Sequence, residues 1–361
     1  RDYYASRGLG DVYKRQVLTT SYAMYEVLQK EKEIPVTFFT GHSLGEITAL
    51  TAAGAMKFAD AVKLVKVRGE SMAACAEGLK TGMSAIVKLS VDVIEPLLKE
   101  FNEFGHDVQI ANYNSEFQTV LAGKIDELNA FADIIETNGG RVVRMNVGGA
   151  FHSSYMQGAV KAYSEEIERI EFKMPQIPVI SSVTGKVYSS VEEIKETLSK
   201  QLTSPVCWSS VIDECEKREV KMWLEVGPKN VLTKLVRRMV DNSEVLTFEE
   251  DSENGYKVID TVIKLKMRDP SFIQLCMGVV ASTKNRNWDE LDYSQGVIQK
   301  YKQLQELQGK YEENEITLEK ASLQALEILK VILNTKKVPE QEQKERIRGI
   351  IKKANSSIVY Q

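Results

Sequence analysis

Soft ligands are scarce: 361 residues contain only four cysteines and three histidines. Cys75, Cys207, Cys215 and Cys276 are scattered without the close spacing that a zinc site or a redox motif requires. No metal site is expected, and a reducing cytoplasm is the simplest setting for such thiols. Excess positive charge is lacking too, since 47 Lys and Arg are outweighed by 51 Asp and Glu, for a net charge of −4. That balance gives no electrostatic reason to expect nucleic acid as a partner. No apolar run approaches the length of a membrane span and nothing at the start resembles a signal peptide, so no membrane association is expected. What remains is an ordinary globular composition, 43% hydrophobic and 27% charged, on a chain long enough for more than one domain.

One stretch demands a particular chemistry. Val36 to Thr40 is β-branched and aromatic, the character of a short buried parallel strand. Leu44 to Met56 carries apolar residues at helical spacing, with Glu46 in the first turn where the helix dipole favours negative charge. Between them lies Gly41-x-Ser43-x-Gly45, the nucleophile-elbow pattern, a turn so tight that positions 41 and 45 are expected to exclude side chains. Such a turn presents the Ser43 hydroxyl at the carboxyl edge of a sheet and leaves the Leu44 N–H to stabilise an oxyanion. The bland alternative is a structural turn.

Residues 1–16 show neither helical nor strand periodicity and read as a scar foreign to the rest of the chain. Val17 to Lys30 has one apolar helix face, and a further helix is expected from Phe58 to Gly69. Arg68, near its end, has the commoner fate of a solvated cation as its plain reading. Between Gly82 and Val147 short segments alternate in the order βαββαβ, a ferredoxin-like insert. The chain then returns at Gly148-Gly149-Ala150-Phe151-His152-Ser153. A serine nucleophile needs a base, and of the three histidines His42 points away from its neighbour Ser43 while His106 sits in a polar turn. His152 is left by elimination, against the alternative of a structural loop histidine. Strands at Pro178–Ser182 and Lys221–Val226 and helices at 191–202 and 231–240 complete an α/β pattern. No Asp or Glu stands in the usual triad order.

Six co-ordered motifs carry a resemblance. They are Gly41-His42-Ser43-Leu44-Gly45-Glu46, Arg68 in Lys66-Val67-Arg68-Gly69, Asn112-x-Asn114-Ser115, Ala150-Phe151-His152-Ser153, Gln201-Leu202 ahead of Pro205-Val206-x-Trp208, and Glu225-Val226-Gly227-Pro228. Over residues 17 to 245 the chain resembles malonyl-CoA:acyl carrier protein transacylases and the acyltransferase domains of polyketide synthases. The resemblance implies an acyl-carrier-protein S-malonyltransferase working through a Ser43–His152 dyad. Malonyl-CoA is its substrate, the phosphopantetheine of an acyl carrier protein its acceptor, and no cofactor is bound. It further implies that the Gln201 carbonyl orients the histidine, that Arg68 clamps the malonyl carboxylate, and that Asn114 contributes to substrate binding. Phe151 matches a form whose bulk excludes a methylmalonyl branch, with ordinary wall packing as the alternative.

The resemblance also exposes departures. Family members begin with a strand and a glutamine loop that supplies a second oxyanion N–H; residues 1–16 stand in that place, so the chain reads as lacking a core strand. After about Lys266 come amphipathic helices at Val297–Tyr311, Leu318–Leu333 and Glu340–Lys353, read as packing helices or as a docking element for a carrier protein or polyketide synthase partner. The expected organisation is a scar at 1–16, a hydrolase-like catalytic α/β domain at 17–81 and 148–265, a ferredoxin-like subdomain at 82–147 and a helical extension at 266–361. Rival functions are an acyl hydrolase of the same fold, which would lack the arginine clamp, and a non-catalytic carrier-protein-binding scaffold.

Overall fold

The computed structural model describes residues 10–32, 36–241, 243–248, 271–354 and 358–360. Residues 1–9, the Glu33-Ile34-Pro35 lead into the elbow strand and the expected boundary near Lys266 lie outside them. The chain divides into two compact units, Arg1–Ser252 with Ser357–Gln361, and Glu253–Ser356. Among the described residues no helix is long and apolar enough to cross a membrane.

In the first unit, helix α1 (Gly10–Lys32) precedes strand β1 (Phe38–Thr40), helix α2 (Leu44–Ala52) and helix α3 (Phe58–Ala76). The sequence expectation for residues 10–16 is corrected here, because they continue the helix that begins at Gly10 into the apolar face carrying Leu18 and Leu28. Local pattern is poor in this stretch, and tertiary packing settles it. The insert comes next as β2 (Thr81–Val87), α4 (Val91–Glu103), β3 (Gln109–Ser115), β4 (Gln118–Lys124), α5 (Ile125–Thr137) and β5 (Arg141–Arg144). Asp126 and Glu127 open α5 where the exposed amides favour acids. Helix α6 (Gln157–Glu168), strand β6 (Val179–Ile180), helix α7 (Val191–Lys200), strand β7 (Val206–Cys207) and helix α8 (Trp208–Lys217) continue the chain. Strand β8 (Met222–Glu225), helix α9 (Val231–Val236) and strand β9 (Glu244–Thr247) succeed them. Ser190 caps α7 by accepting from the Glu193 amide at 3.0 Å.

Two five-stranded sheets result. One, ordered β5-β2-β4-β3-β7, is antiparallel except for its last pair, where Asn112 of β3 stands opposite Val206 of β7. That pair ties the insert to the segment just after Gln201. The other sheet is parallel and ordered β6-β1-β10-β8-β9, where β10 is Ile358–Tyr360. The sequence predicts a helical tail through residue 361 and an empty core position. Instead the last described residues lie as an interior strand between the elbow strand and β8. The amides and carbonyls along β1 and β8 both require partners, and a β-branched Ile-Val pair meets that demand from far along the chain.

The second unit packs helices at Phe272–Ser282, Gln299–Glu312, Leu318–Thr335 and Glu340–Lys353. Their shared core includes Phe272, Leu304, Leu329, Ile332 and Ile350.

Candidate active site

The elbow arises from backbone crowding. All three residues of β1 are buried, and the chain reverses at Ser43, whose φ of 52° and ψ of −102° lie in a region that non-glycine residues rarely occupy. A Cβ on Gly41 would stand 2.1 Å from the Gly45 carbonyl carbon, so glycine is obligatory there. A Cβ on Gly45 would meet nothing within 4 Å. The expectation that both glycines are sterically required is therefore corrected: only the approach at Gly41 is tight, because the residue after the turn faces open space. Ser43 is the N-cap of α2, so the Leu44 N–H is the first amide of a helix and has no intrahelical acceptor.

Around Ser43 the fold gathers three side chains from distant elements. His152 follows buried Ala150 in a turn braced by Ser153 Oγ donating to the Ala150 carbonyl at 2.6 Å, and holds a φ of 58°. Its Nε2 is 2.8 Å from Ser43 Oγ and its Nδ1 is 2.9 Å from the Gln201 carbonyl. A carbonyl only accepts, so the proton sits on Nδ1 and Nε2 offers a lone pair to the serine hydroxyl. Arg68 Nη2 donates to Ser43 Oγ and to Gln201 Oε1, both at 2.9 Å. Helix α3 runs to Ala76 rather than ending near Gly69, which puts Arg68 mid-helix and 1% exposed. The solvated helix-end reading of this arginine is overturned. Its Nε is buried with no hydrogen-bond partner.

Burial dominates the electrostatics. It lowers the His152 imidazole to about 3, helped by the neighbouring Arg68 charge and opposed by the Gln201 carbonyl, so the ring is neutral at ordinary pH. Burial also pushes Arg68 down, while nearby Tyr163 and Glu46 push it back up. The same desolvation lowers His42, with Asn114 acting in the opposite sense.

His42 makes no bond to Ser43. Its Nε2 faces Asn114 Oδ1 at 3.0 Å and Asn112 Nδ2 at 3.2 Å, so this nitrogen can serve only one of them at a time. The two asparagines stand two apart on β3 and so share a face. A cavity of about 610 Å³ opens beside them, bordered by His42, Asn114, Gln118, Met145, Lys234 and Arg238. Phe151 lies beneath the Lys14 ammonium, 4.9 Å from its ring centre, which brings a residue of the supposed scar to the site.

The sequence-derived residues thus divide. Ser43, His152, Arg68 and Gln201 are joined by hydrogen bonds, Leu44 adjoins them, and Asn114 is engaged with His42 and Gln118 instead. Read from sequence only as a first-turn acid, and not as part of the site, is Glu46, which is fully buried and bonded to Gln201 Nε2 at 2.6 Å. Its signal was the one charged residue of a helix, Leu44–Ala52, that is buried along most of its length.

Residues 17–279 match the family model for the acyl transferase domain. The chain is 39% identical over 219 residues to the polyketide biosynthesis malonyl CoA-acyl carrier protein transacylase of Bacillus subtilis, covering 60% of this chain and 74% of that protein. It is 29% identical over 338 residues to another malonyl CoA-acyl carrier protein transacylase of Bacillus subtilis, covering 91% of this chain and 82% of that one. The crystal structure of FabD from Acinetobacter baumannii superposes with a TM-score of 0.67 at 28% identity, covering 71% of this chain and 83% of that one. With the family model matched across most of its length, the chain belongs to the acyl transferase domain family.

Proposed function

We propose that the chain moves a malonyl group from coenzyme A to the phosphopantetheine thiol of an acyl carrier protein, through an acyl-enzyme on Ser43, in polyketide or fatty acid biosynthesis. One observation carries the reading: a buried guanidinium 2.9 Å from the same Ser43 Oγ that His152 bonds, with its Nε still unpaired. A cation in that position suits an acyl group ending in a second carboxylate, which a guanidinium meets through parallel charge-assisted bonds. The names of the relatives supply the same substrate and acceptor.

In the first half-reaction Ser43 Oγ attacks the thioester carbonyl as His152 Nε2 takes its proton. The Leu44 N–H supports the oxyanion. Collapse breaks the C–S bond and the imidazolium protonates the departing coenzyme A sulfur. In the second, the phosphopantetheine thiol gives its proton to His152, its sulfur takes the malonyl group as the C–O bond to Ser43 breaks, and the imidazolium returns the proton to Ser43 Oγ. The Gln201 carbonyl keeps the histidine in the one tautomer that can do this. Arg68 holds the malonyl carboxylate, and Asn114 and Phe151 wall the substrate path. Neutralising Arg68 removes one of the causes that hold His152 down, so a dicarboxylic acyl group strengthens its own base. Both thiol carriers arrive with the substrates, and no bound cofactor enters. Four free cysteines fit a reducing, cytoplasmic setting.

Intact-protein mass spectrometry after mixing with malonyl-CoA, beside acetyl-CoA and a Ser43→Ala control, tests this. A malonyl adduct lost in Ser43→Ala is expected; no adduct on folded wild-type chain overturns it.

A further inference from the structure

We propose that Glu46 is a positioning residue that sets which way the Gln201 amide faces, and through that amide orients Arg68 for the acyl carboxylate. The inference rests on the acyl-enzyme reading above. Glu46 is fully buried on α2, and three donors converge on its carboxylate: Gln201 Nε2 and Ser182 Oγ at Oε2, both at 2.6 Å, and the Tyr188 hydroxyl at Oε1. Gln201 is fully buried as well. Its Nε2 also reaches the Ser43 carbonyl at 3.2 Å, while its Oε1 accepts from Arg68 Nη2 at 2.9 Å.

A primary amide has a donating end and an accepting end of nearly equal size, and its partners alone decide which end goes where. The carboxylate and the Ser43 carbonyl offer only lone pairs, so Nε2 must turn to them and Oε1 must turn to Arg68. The flipped amide would set Nε2 against the guanidinium donors and Oε1 against a carboxylate, two repulsions without water to screen them. Arg68 would then lose an acceptor that helps hold Nη2 beside Ser43. Glu46 also supplies a buried negative charge near Arg68. Ser182 and Tyr188 fill the remaining lone pairs and staple α2 to the turn after β6. A carboxylate serving only as that staple would be indifferent to the acyl group.

The discriminating readout is the ratio of malonyl to acetyl acylation rates at Ser43 in single turnover. Glu46→Gln keeps the shape but lets Gln201 flip, and the ratio is expected to fall at least tenfold. Gln201→Leu removes the amide while keeping the backbone carbonyl on His152, and should lower the ratio to a similar extent. Ser182→Ala and Tyr188→Phe remove the staple while leaving Glu46 on Gln201, and should leave the ratio unchanged. Should Glu46→Gln not fold, those two variants and Gln201→Leu decide. An unchanged ratio in Glu46→Gln or Gln201→Leu, or a ratio that falls in Ser182→Ala or Tyr188→Phe, overturns the proposal. Failure of wild type to form any Ser43 adduct sinks the acyl-enzyme reading instead, so the two failures are distinct.

Discussion

Two buried cations, one in each unit, are treated in opposite ways. Lys336, 5% exposed in the helical unit, donates to the carbonyls of Val280 and Thr283 at 2.6 and 2.8 Å. Those carbonyls belong to the end of the helix Phe272–Ser282, where the last acceptors lack intrahelical donors. Its charge is absorbed by the backbone, amid a core of Phe, Ile, Leu and Val. Arg68 is at least as deeply buried, yet it is bonded to the Ser43 hydroxyl and a side-chain amide, and its Nε has no hydrogen-bond partner. A satisfied buried cation closes a helix; an incompletely satisfied one beside the Ser43 hydroxyl is what the proposed carboxylate clamp requires.

That contrast can be broken in several places. The largest effect is expected for Ser43→Ala, which removes the atom on which Arg68 and His152 converge; malonyl adduct formation should fall by more than about 10⁴ in single-turnover mass spectrometry. Arg68→Ala should reduce malonyl transfer by more than about a hundredfold while sparing short unbranched acyl groups, because only the former lose a charged partner. Unchanged malonyl selectivity in that variant would reduce Arg68 to a structural cation like Lys336. Lys336→Met strands two buried carbonyls and should lower stability by about 1–3 kcal/mol in urea denaturation, with Ser43 acylation untouched. A loss of acylation there would end the distinction from the other side.

The smallest expected effect is itself diagnostic. A histidine with the ordinary value would lose roughly thirtyfold of its neutral form between pH 8 and pH 5. His152 is lowered to about 3, so the base stays unprotonated and kcat/KM for malonyl-CoA should change less than about twofold over that span. The stability linkage has the matching sign. The unfolded chain takes up the proton first as pH falls below the ordinary histidine value, so folding stability contributed by the neutral ring is present above that value and declines toward pH 3. A steep fall in kcat/KM centred near pH 6.5 would mean that the site is wetter than its burial implies.

Much of the site was legible because it is written locally. Gly41-x-Ser43-x-Gly45 between a β-branched run and an apolar helix is a strand, a turn and a helix within twenty residues. His152 was reachable by elimination among three histidines, and Gln201 through the resemblance. Arg68 was harder, since a helix boundary misplaced by seven residues turns a buried residue into a terminal one. Glu46 carried a local signal, a first-turn acid, that pointed to the helix dipole and away from its true partners at positions 182, 188 and 201.

The chain's own pattern of residues was enough to determine the elbow, the α/β alternation, the insert and the absence of metal-binding spacing, because periodicity and turn chemistry act over a few residues. Tertiary structure alone decided that Gln201 faces Arg68 with its oxygen, that Asn114 turns its Oδ1 to His42, and that Ile358–Tyr360 lies between β1 and β8. Each of those outcomes is a choice of partner made across tens to hundreds of residues, where buried donors and acceptors must be matched and no short-range rule names the match.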